Sequence, residues 1–464
     1  MTPFTASAAA SACGGSLCGP DIKICRGWKS DSREVSHGDA FVAIKGDVTD
    51  GHLFLQQAVN NGAKLLLVNA SEMERLELRR PEYAGITFIA AEDTVRALSK
   101  IAEEYLRGVA PHVTAITGSV GKTTTRELTA AAMKKRLRLH SAIRSFNTLI
   151  GCSLTVLAMP EDTQELVLEL GTNHFGEISE LVEHFQPQTV IITEVVPAHL
   201  EGFGDIHGVL RAKMEICKSP ALEKIIFNND NPLIREYMSY NYNNITKYSI
   251  GYDEGSDIRI IDSYITLDEG GPRTTALYEE KGERFTLEST LFGIQHAYNM
   301  AYACCAAELS GVSKKETAQA FAAMPPISGR GLCRRCGAQG WVIDEAYNAN
   351  PASMSAAIKN ARSAAEKLGV KKCAILGGMR ELGESTAEWH AKIISEVSDF
   401  DAVMLLGREW AECGAPVGKS AAVYLSLEDI IGAIDYTDLS RRVILVKGSN
   451  SYGLKKVVGA LTEA

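Results

Sequence analysis

Residues 113–125 read VTAITGSVGKTTT, and this stretch decides the fold of the middle of the chain. An apolar, β-branched run (113–116) leads into Gly118 and Gly121, which are followed by Lys122 and three threonines. Glycines let backbone N–H groups approach phosphate oxygens without an intervening Cβ. A helix that follows directs its positive end at the anion. The stretch therefore predicts a strand, a phosphate-binding loop and a helix in succession.

The loop predicts an ATP site. We expect Lys122 to bridge the β- and γ-phosphates and Thr123 to ligate Mg²⁺. The other phosphate contacts are expected from Gly118, Ser119, Val120, Gly121 and Thr124. The pattern G-x-x-x-x-G-K-[ST] has a glycine where Ile116 stands, so this loop has a shorter form. An ordinary glycine-rich turn is the alternative, which a Lys-Thr pair directly after the second glycine disfavours.

Composition restricts the class of protein. The chain has 464 residues, 45% hydrophobic and 23% charged, which is typical of a globular protein of two to four domains. The formal charge of -9 argues against a nucleic-acid partner. No apolar stretch approaches about 18 residues, so we expect no membrane span. Residues 1–19 lack the basic segment of a signal peptide, and we expect a cytoplasmic protein.

Cysteine usage gives no sign of a metal site. The chain has 11 cysteines, and Cys333 and Cys336 form its one CxxC pair. A zinc site would need a second pair at similar spacing. Reduced thiols are the expected state.

Short β-branched runs alternate with helical patterns, which predicts an α/β protein built from βαβ units and parallel sheets. Breaks at residues 108–111 and 324–329 divide the chain into units 1–109, 110–325 and 326–464. We predict strands at residues 41–44, 65–68, 86–90, 113–116, 166–169, 190–193, 225–228, 341–344, 373–376, 402–406 and 443–446. Helices are predicted at residues 53–61, 94–107, 123–135 and 353–367.

The short loop with its extra threonines resembles that of the Mur ligases, the ATP-dependent amide-forming enzymes of peptidoglycan precursor synthesis. Residues 347–354, YNANPASM, are similar to the signature of the MurF branch, which joins D-alanyl-D-alanine to UDP-MurNAc-tripeptide. Further matching segments follow one another along the chain at residues 31–33, 38–43, 50–52, 169–171, 176–178, 198–201, 213–216, 376–379, 381–384 and 446–449.

This resemblance implies a three-domain architecture. The N-terminal domain would bind a UDP-sugar substrate, the central domain would be a P-loop-type ATPase, and the C-terminal domain would be Rossmann-like. It also implies an activity, in which ATP activates a carboxylate as an acyl phosphate that an amine then attacks. Such chemistry needs positioning and charge neutralisation above all. A shared fold with different chemistry is the alternative.

Metal and catalytic residues follow in part from position and in part from the resemblance. Glu169 ends an apolar strand and would face the carboxyl edge of a parallel sheet, so we assign it to Mg²⁺. By resemblance, His199 is a second metal ligand and Lys213 is carbamylated, which would make it an anionic ligand. Arg330 would reach the ATP phosphates across a cleft. Lys122, Lys213, His199 and Arg330 form the expected catalytic set.

Substrate contacts are expected at five further residues. Ser32 and Arg33 belong to the segment that resembles the UDP-sugar-binding domain, and Asn147 would lie beside the bound substrate. Asn348 and Asn350 would lie near the incoming amine. Turn capping and the N-cap of the helix at 353–367 are alternatives for the last two.

Several positions depart from the family pattern. The adenine motif Gly-x-His-Asn-x-x-Asn is GIQHAYN at residues 293–299, so Asn299 is kept while Gln295 and His296 replace the first pair. Both can hydrogen-bond a base edge. Glu345 stands where the ribose-side residue is usually Asp. Thr148 and Glu194 stand where the family usually has Asn, and Asn450 stands where Arg is common.

These departures leave the substrate pair open. The first hypothesis is a monomeric MurF-type ligase that uses ATP, Mg²⁺, a UDP-linked muramyl peptide and D-Ala-D-Ala. The alternative is a MurF-like paralogue that ligates another carboxylate, for example in synthesis of the nickel tetrapyrrole of methanogens. A non-enzymatic nucleotide-binding protein is a third possibility, which a complete metal set disfavours.

Overall fold

A computed structural model describes residues 4–24, 27–73, 83–142, 145–337, 340–414, 421–434 and 441–463. The strands in these ranges form three separate sheets that follow one another along the chain. Within the same ranges, no helix combines the length and the apolar character that crossing a bilayer requires.

The N-terminal sheet has five strands in the order β1-β5-β4-β3-β2, with β1 antiparallel to β5 and the other pairs parallel. Its central strands are mostly apolar and buried, as expected for a parallel sheet with both faces covered. The predicted helix at 53–61 begins as a 3-10 turn at Gly51–Phe54. The elements are α1 (Ala6–Cys13), β1 (Ser16–Cys18), β2 (Trp28–Lys29), β3 (Ala40–Val42), α2 (Leu55–Asn60), β4 (Leu65–Asn69), β5 (Thr87–Ala91) and α3 (Thr94–Val109).

The central sheet has nine strands in the order β14-β13-β12-β11-β10-β9-β6-β8-β7. Its first half comprises β6 (His112–Thr117), α4 (Lys122–Met133), β7 (Leu139–Ser141), α5 (Leu149–Leu157), β8 (Glu165–Glu169), α6 (Glu177–Phe185), β9 (Thr189–Ile192), α7 (Leu200–Phe203) and α8 (Ile206–Met214). The second half comprises β10 (Lys224–Asn228), α9 (Pro232–Tyr240), β11 (Thr246–Gly251), β12 (Ile258–Asp268), β13 (Gly271–Glu280), β14 (Glu283–Ser289), α10 (His296–Leu309) and α11 (Lys314–Ala322).

The meander β12–β14 differs from the parallel sheets that the sequence predicts. Both of its strand pairs are antiparallel. Lys281 and Gly282 connect β13 to β14 with φ values of 52° and 83°. Positive φ at both central residues is typical of the two-residue turn that closes a hairpin. The chain therefore returns directly along its neighbour and needs no crossover helix at this point.

The C-terminal sheet has six strands in the order β15-β16-β20-β17-β18-β19, all parallel except the pair β15–β16. The predicted α/β class is confirmed, and the unit boundaries after residues 109 and 325 stay predictions. The elements are β15 (Leu332–Cys336), β16 (Gly340–Glu345), α12 (Pro351–Leu368), β17 (Lys371–Gly377), α13 (Thr386–Glu396), β18 (Ala402–Leu406), α14 (Arg408–Glu412), β19 (Ala421–Tyr424), α15 (Leu427–Ala433), β20 (Arg442–Lys447) and α16 (Lys455–Glu463).

Cys333 and Cys336 both lie on β15 and are buried. Cys333 is a free thiol, and Cys25 lies outside the described ranges. These ranges also hold no group of three or more His, Cys, Asp or Glu side chains placed for a metal ion. The CxxC pair is therefore part of the core of the C-terminal sheet.

Replacing Tyr278 by Phe tests how the meander is held to the helix behind it. The Tyr278 hydroxyl is buried and donates a 2.8 Å hydrogen bond to the carbonyl of Ala297 in α10. We expect a loss of about 1 kcal/mol in the free energy of unfolding, measured by urea denaturation of the transition that includes this sheet. Tyr264→Phe, at a half-exposed position on β12, is the matched control. Equal stability of the two variants would contradict the role of this hydrogen bond.

Candidate active site

A cavity of about 1000 Å³ lies where the carboxyl ends of the central and C-terminal strands face each other. Ligands bind at this edge in open α/β sheets. Residues from both units line it, including Ser119, Lys122, Thr123, Asn147, Glu169, Glu194, His199, Gln295, His296, Asn299, Arg330, Glu345, Asn348, Asn350, Glu381 and Lys447.

The phosphate loop has the predicted form, since β6 ends at Thr117 and α4 begins at Lys122. Gly118 has φ of 146°, and a Cβ there would lie 2.1 Å from Oγ1 of Thr193. The Thr193 hydroxyl donates to the carbonyl of Val120 at 2.6 Å, which ties the loop to the end of β9. The loop therefore packs so closely against β9 that no side chain fits at Gly118.

Lys122 provides a positive charge inside the loop. Its Nζ donates to the carbonyl of Gly118 at 2.6 Å. Burial lowers the pKa of Lys122, while the nearby Glu169 raises it and Arg330 lowers it further. No carboxylate in the described ranges forms an ion pair with this ammonium, so its charge is available to an anion in the cavity.

Thr123, Glu169 and Asn147 form one connected polar group. The Thr123 hydroxyl donates to Oε2 of Glu169 at 2.7 Å, and Nδ2 of Asn147 donates to Oε1 at 3.0 Å. Glu169 is buried at the end of β8, and Thr123 lies in the first turn of α4. The structure thus places two expected metal-binding oxygens in contact, at the phosphate end of the cavity.

Lys213 lies on α8, only 1% exposed and outside the cavity lining. Burial lowers its pKa well below the ordinary value, and Lys122 lowers it further, while Glu177 and Glu215 raise it. Those carboxylates already accept backbone N–H groups, Glu177 from Asn173 at 2.8 Å and Glu215 from Gly176 at 2.9 Å. The surroundings therefore favour a neutral amine at Lys213.

His199 brings the two units into contact. Its backbone is left-handed, with φ of 53°, and its Nδ1 meets a carboxylate oxygen of Glu381 from the C-terminal unit. Glu381 is also left-handed, with φ of 64°. Burial lowers the pKa of His199, which Glu381 counteracts. Sequence reasoning assigned no role to Glu381, because its partner lies 182 residues away.

Arg330 and Glu345 reach the cavity from the C-terminal unit, together with Lys447, which sequence reasoning missed. The Arg330 guanidinium stacks 4.2 Å from the ring centre of Tyr347. Nζ of Lys447 lies 3.4 Å from Oε2 of Glu345 and donates to the carbonyl of Asn348 at 2.9 Å. Burial lowers the pKa of Lys447 and raises that of Glu345. The available signal was the family-like segment at residues 446–449. In the structure, the parallel register of β16 and β20 places Glu345 opposite Lys447.

Gln295, His296 and Asn299 lie together around the start of α10. Nδ2 of Asn299 donates to Nδ1 of His296 at 3.1 Å, and the Asn299 carbonyl oxygen accepts from Thr125 at 3.2 Å. Nδ2 of Asn360 donates to Oε1 of Gln295 at 2.9 Å. Because Thr125 belongs to α4, these side chains are attached to the helix that begins at the phosphate loop.

The five expected substrate residues do not all reach the cavity. Asn147, Asn348 and Asn350 line it, and Asn350 also caps α12 through a 2.9 Å hydrogen bond from the backbone N–H of Ser353. Ser32 and Arg33 lie outside the lining, where they bond Gln57 and Asp31 respectively. The roles of all five in substrate binding stay predictions.

Three family models match successive parts of the chain. They are the Mur ligase family catalytic domain at residues 26–106, the Mur ligase middle domain at 116–307, and the Mur ligase glutamate ligase domain at 332–450. The chain belongs to the Mur ligase family. The resemblance that the motifs indicate is therefore confirmed.

Relatives of this Mur ligase match over nearly their full length. The chain is 29% identical to the UDP-N-acetylmuramoyl-tripeptide--D-alanyl-D-alanine ligase of Bacillus subtilis, covering 97% of this chain and 96% of that protein. It is also 29% identical to the enzyme of the same name from Escherichia coli, covering 100% and 99%.

Solved structures agree with the predicted three-domain architecture. MurF from Acinetobacter baumannii superimposes with a TM-score of 0.84 at 25% identity and covers 100% of both chains. MurF from Thermotoga maritima, solved in complex with ADP, gives a TM-score of 0.77 at 26% identity, covering 95% of this chain and 98% of that one.

A Gly118→Ala variant tests the phosphate loop. The added methyl group would collide with Thr193, so we expect nucleotide binding at least about a hundredfold weaker, measured by calorimetric titration with ADP. Gly108→Ala is the control, because nothing lies within 4 Å of a Cβ at that exposed position. Wild-type affinity in a folded Gly118→Ala protein would rule out this loop as the phosphate site.

Proposed function

We propose that this Mur ligase joins D-alanyl-D-alanine to UDP-MurNAc-tripeptide in an ATP-dependent, ADP-forming reaction of peptidoglycan precursor synthesis in the cytoplasm. The observation that carries the proposal is the joint placement of Lys122, Thr123 and Glu169 from the central unit with Arg330 from the C-terminal unit around one cavity. The names of the full-length relatives support the same substrate pair. The paralogue with a different carboxylate is not favoured.

The reaction begins when a carboxylate oxygen of the tripeptide attacks the γ-phosphorus of ATP. ADP leaves, and the product is an acyl phosphate. The dipeptide amine then attacks the acyl carbon, and inorganic phosphate departs with one of the original carboxylate oxygens. Charge moves among phosphate oxygens in both steps, so fixed positive groups lower the barriers. Lys122 supplies one such charge within the loop, and Arg330 supplies a second from across the cavity.

We assign Mg²⁺ to the group around Glu169. Buried oxygen donors suit this ion, and Thr123 and Glu169 present two of them in contact with each other. His199 and Lys213 are proposed as further ligands. When bound, the ion would neutralise charge on the phosphates. The protein residues meanwhile hold the carboxylate substrate and the nucleotide in position.

Lys213 is proposed to carry a carbamate. A neutral amine attacks CO₂, forming an N–C bond and releasing one proton, and the buried amine at Lys213 favours the neutral form. The product is an anion, which the ammonium of Lys122 would attract. The carbamate would thereby turn an unfavourable buried amine into a ligand for the proposed Mg²⁺.

Exclusion of water protects the acyl phosphate. His199 of the central unit and Glu381 of the C-terminal unit meet in the lining of the cavity. The ion pair of Lys447 with Glu345 lies on the C-terminal side. Closed sites of this kind limit hydrolysis of reactive intermediates.

The decisive test is ADP release by the purified protein with saturating Mg-ATP. We expect turnover only when UDP-MurNAc-tripeptide and D-Ala-D-Ala are both present. Omitting either one, or supplying L-Ala-L-Ala as the matched control, should return the rate to background. Absence of turnover with the complete mixture, or full turnover without the dipeptide, would refute the proposed substrate pair.

Replacing Lys213 by Met should separate stability from activity. Folding lowers the pKa of the Lys213 amine. The amine therefore destabilises the folded state at every pH at which it would be protonated in the unfolded chain. In metal-free, CO₂-free buffer we expect Lys213→Met to raise the free energy of unfolding. The gain should be largest at low pH and should shrink as pH rises towards the ordinary lysine pKa.

Ligase activity should fall in the variants at Lys213, although Lys213→Met is expected to be more stable. Lys213→Met and Lys213→Ala should both lose ligation, and small carboxylates should partly restore Lys213→Ala. Lys218→Met, at an exposed residue just beyond α8, is the control. A Lys213→Ala enzyme that no small carboxylate rescues would count against the carbamate.

A further inference from the structure

The β17 loop (residues 378–383) carries the contact between the C-terminal and central units. Glu381 in this loop has a left-handed backbone with φ of 64°, and its carboxylate meets Nδ1 of His199. Two residues further on, a Cβ at Gly383 would lie 3.5 Å from Cγ of Glu201, so the loop also packs against α7. The path of this loop therefore decides where the Glu381 carboxylate meets the central unit.

A histidine holds the loop from the side of α13. The backbone N–H of Met379 donates a 3.0 Å hydrogen bond to Nε2 of His390, which lies on α13 and is fully buried. The next backbone N–H, that of Arg380, donates to Oγ of Ser449 at 3.2 Å. Met379 is itself buried, so an N–H left without an acceptor there would be costly. His390 thus fixes the backbone two residues before Glu381.

Two backbone groups define the position of the proton on the His390 ring. Nε2 faces an N–H group, which can only donate, and Nδ1 lies 2.7 Å from the carbonyl oxygen of Thr386, which can only accept. The ring is therefore neutral with its proton on Nδ1. Burial lowers the pKa of His390, which the Thr386 carbonyl and Glu409 counteract, and Arg380 lowers that pKa further. A protonated ring would direct an N–H at an N–H and would lose the bond to Met379.

Helix α14 supports both the ring and the loop. The fully buried indole of Trp410 meets the His390 ring edge-on, with ring centres 4.5 Å apart and an interplanar angle of 75°. On the same helix, Oε1 of Glu409 lies 2.5 Å from Nη1 of Arg380, which ties a side chain of the β17 loop to α14. The His390 ring is thus packed and hydrogen-bonded so that Nε2 stays directed at Met379.

We propose that His390 is a positioning residue of the ligase, whose unprotonated Nε2 holds Met379 and thereby keeps the Glu381 carboxylate against His199. His390 lies outside the cavity lining, whereas Glu381 and His199 belong to it, so the histidine acts through them. A misplacement of about 1 Å in an active site can lower a rate about a hundredfold. The inference rests on the proposed function for the reaction whose rate it controls.

Two substitutions separate the roles of the two ring nitrogens. In His390→Gln the amide oxygen can occupy the place of Nε2 and accept from Met379, whereas the shorter side chain of His390→Asn reaches only the place of Nδ1. In ADP release with the complete substrate mixture, we expect kcat of His390→Gln within about threefold of wild type and kcat of His390→Asn at least about tenfold lower. The KM for ATP should change by less than about threefold in both, because the phosphate loop belongs to the central unit.

A double-mutant cycle distinguishes positioning from a general loss of stability. Because His390 acts through Glu381, His390→Asn should lower kcat by no more than about twofold in a Glu381→Ala background. His207→Asn, the same exchange at an exposed histidine on α8, is the control and should leave kcat unchanged.

The tautomer can be observed in the wild-type chain, which serves if His390→Asn fails to fold. Long-range ¹H–¹⁵N NMR spectra of protein labelled in histidine would be compared with those of His390→Gln, in which the signals of His390 are missing. We expect a proton on Nδ1 and none on Nε2 at about pH 7. A proton on Nε2 would overturn the inference.

Wild-type kcat in folded His390→Asn, equal losses in both variants, or full additivity with Glu381→Ala would also overturn it while leaving the ligase function intact. Absence of turnover by the wild-type chain would instead refute the proposed substrate pair. Hydrogen exchange at the Met379 amide then decides the role of His390. Exchange at least about tenfold faster in His390→Asn than in His390→Gln upholds that role, and equal exchange contradicts it.

Discussion

The hydroxyl of Thr123 donates a 2.7 Å hydrogen bond to Glu169, and the arrangement of the active site depends on this contact. Thr123 belongs to the helix after β6, and Glu169 ends the neighbouring strand β8. Parallel pairing aligns the carboxyl ends of the two strands, so the phosphate loop and the carboxylate meet at one edge. Asn147 fixes the other carboxylate oxygen. Groups held in this way need little rearrangement when phosphoryl transfer occurs.

Around this contact lie the amines of Lys122, Lys213 and Lys447, and burial lowers the pKa of each. The charge of Lys122 lowers the pKa of Lys213 further, and Lys447 forms an ion pair with Glu345. Isolated charges in a low-dielectric interior are costly. A triphosphate in the cavity and a carbamate on Lys213 would both offset that cost. The same electrostatic arrangement thus accounts for nucleotide binding and for the proposed modification.

Much of the fold around the phosphate loop could be predicted from the sequence, for a physical reason. The strands around β6 are short, apolar and β-branched, so their positions agree with prediction to within one or two residues. The meander β12–β14 was missed because polar and charged residues interrupt the apolar positions of its strands. Contacts such as His199 with Glu381 depend on how two sheets dock, which no local pattern encodes. For Asn350 the sequence allowed two roles, substrate contact or helix capping. The structure shows that Asn350 caps α12.

The acyl phosphate is the central chemical step, and the fate of one oxygen atom reports on it directly. UDP-MurNAc-tripeptide labelled with ¹⁸O in its reacting carboxylate would be ligated to D-Ala-D-Ala with unlabelled ATP, and the phosphate released would be examined by ³¹P NMR. Because the carboxylate oxygen bonds to phosphorus before the amine attacks, we expect one ¹⁸O atom in each released phosphate. Unlabelled phosphate accompanying full ligation would contradict carboxylate activation by phosphoryl transfer at the Lys122 loop.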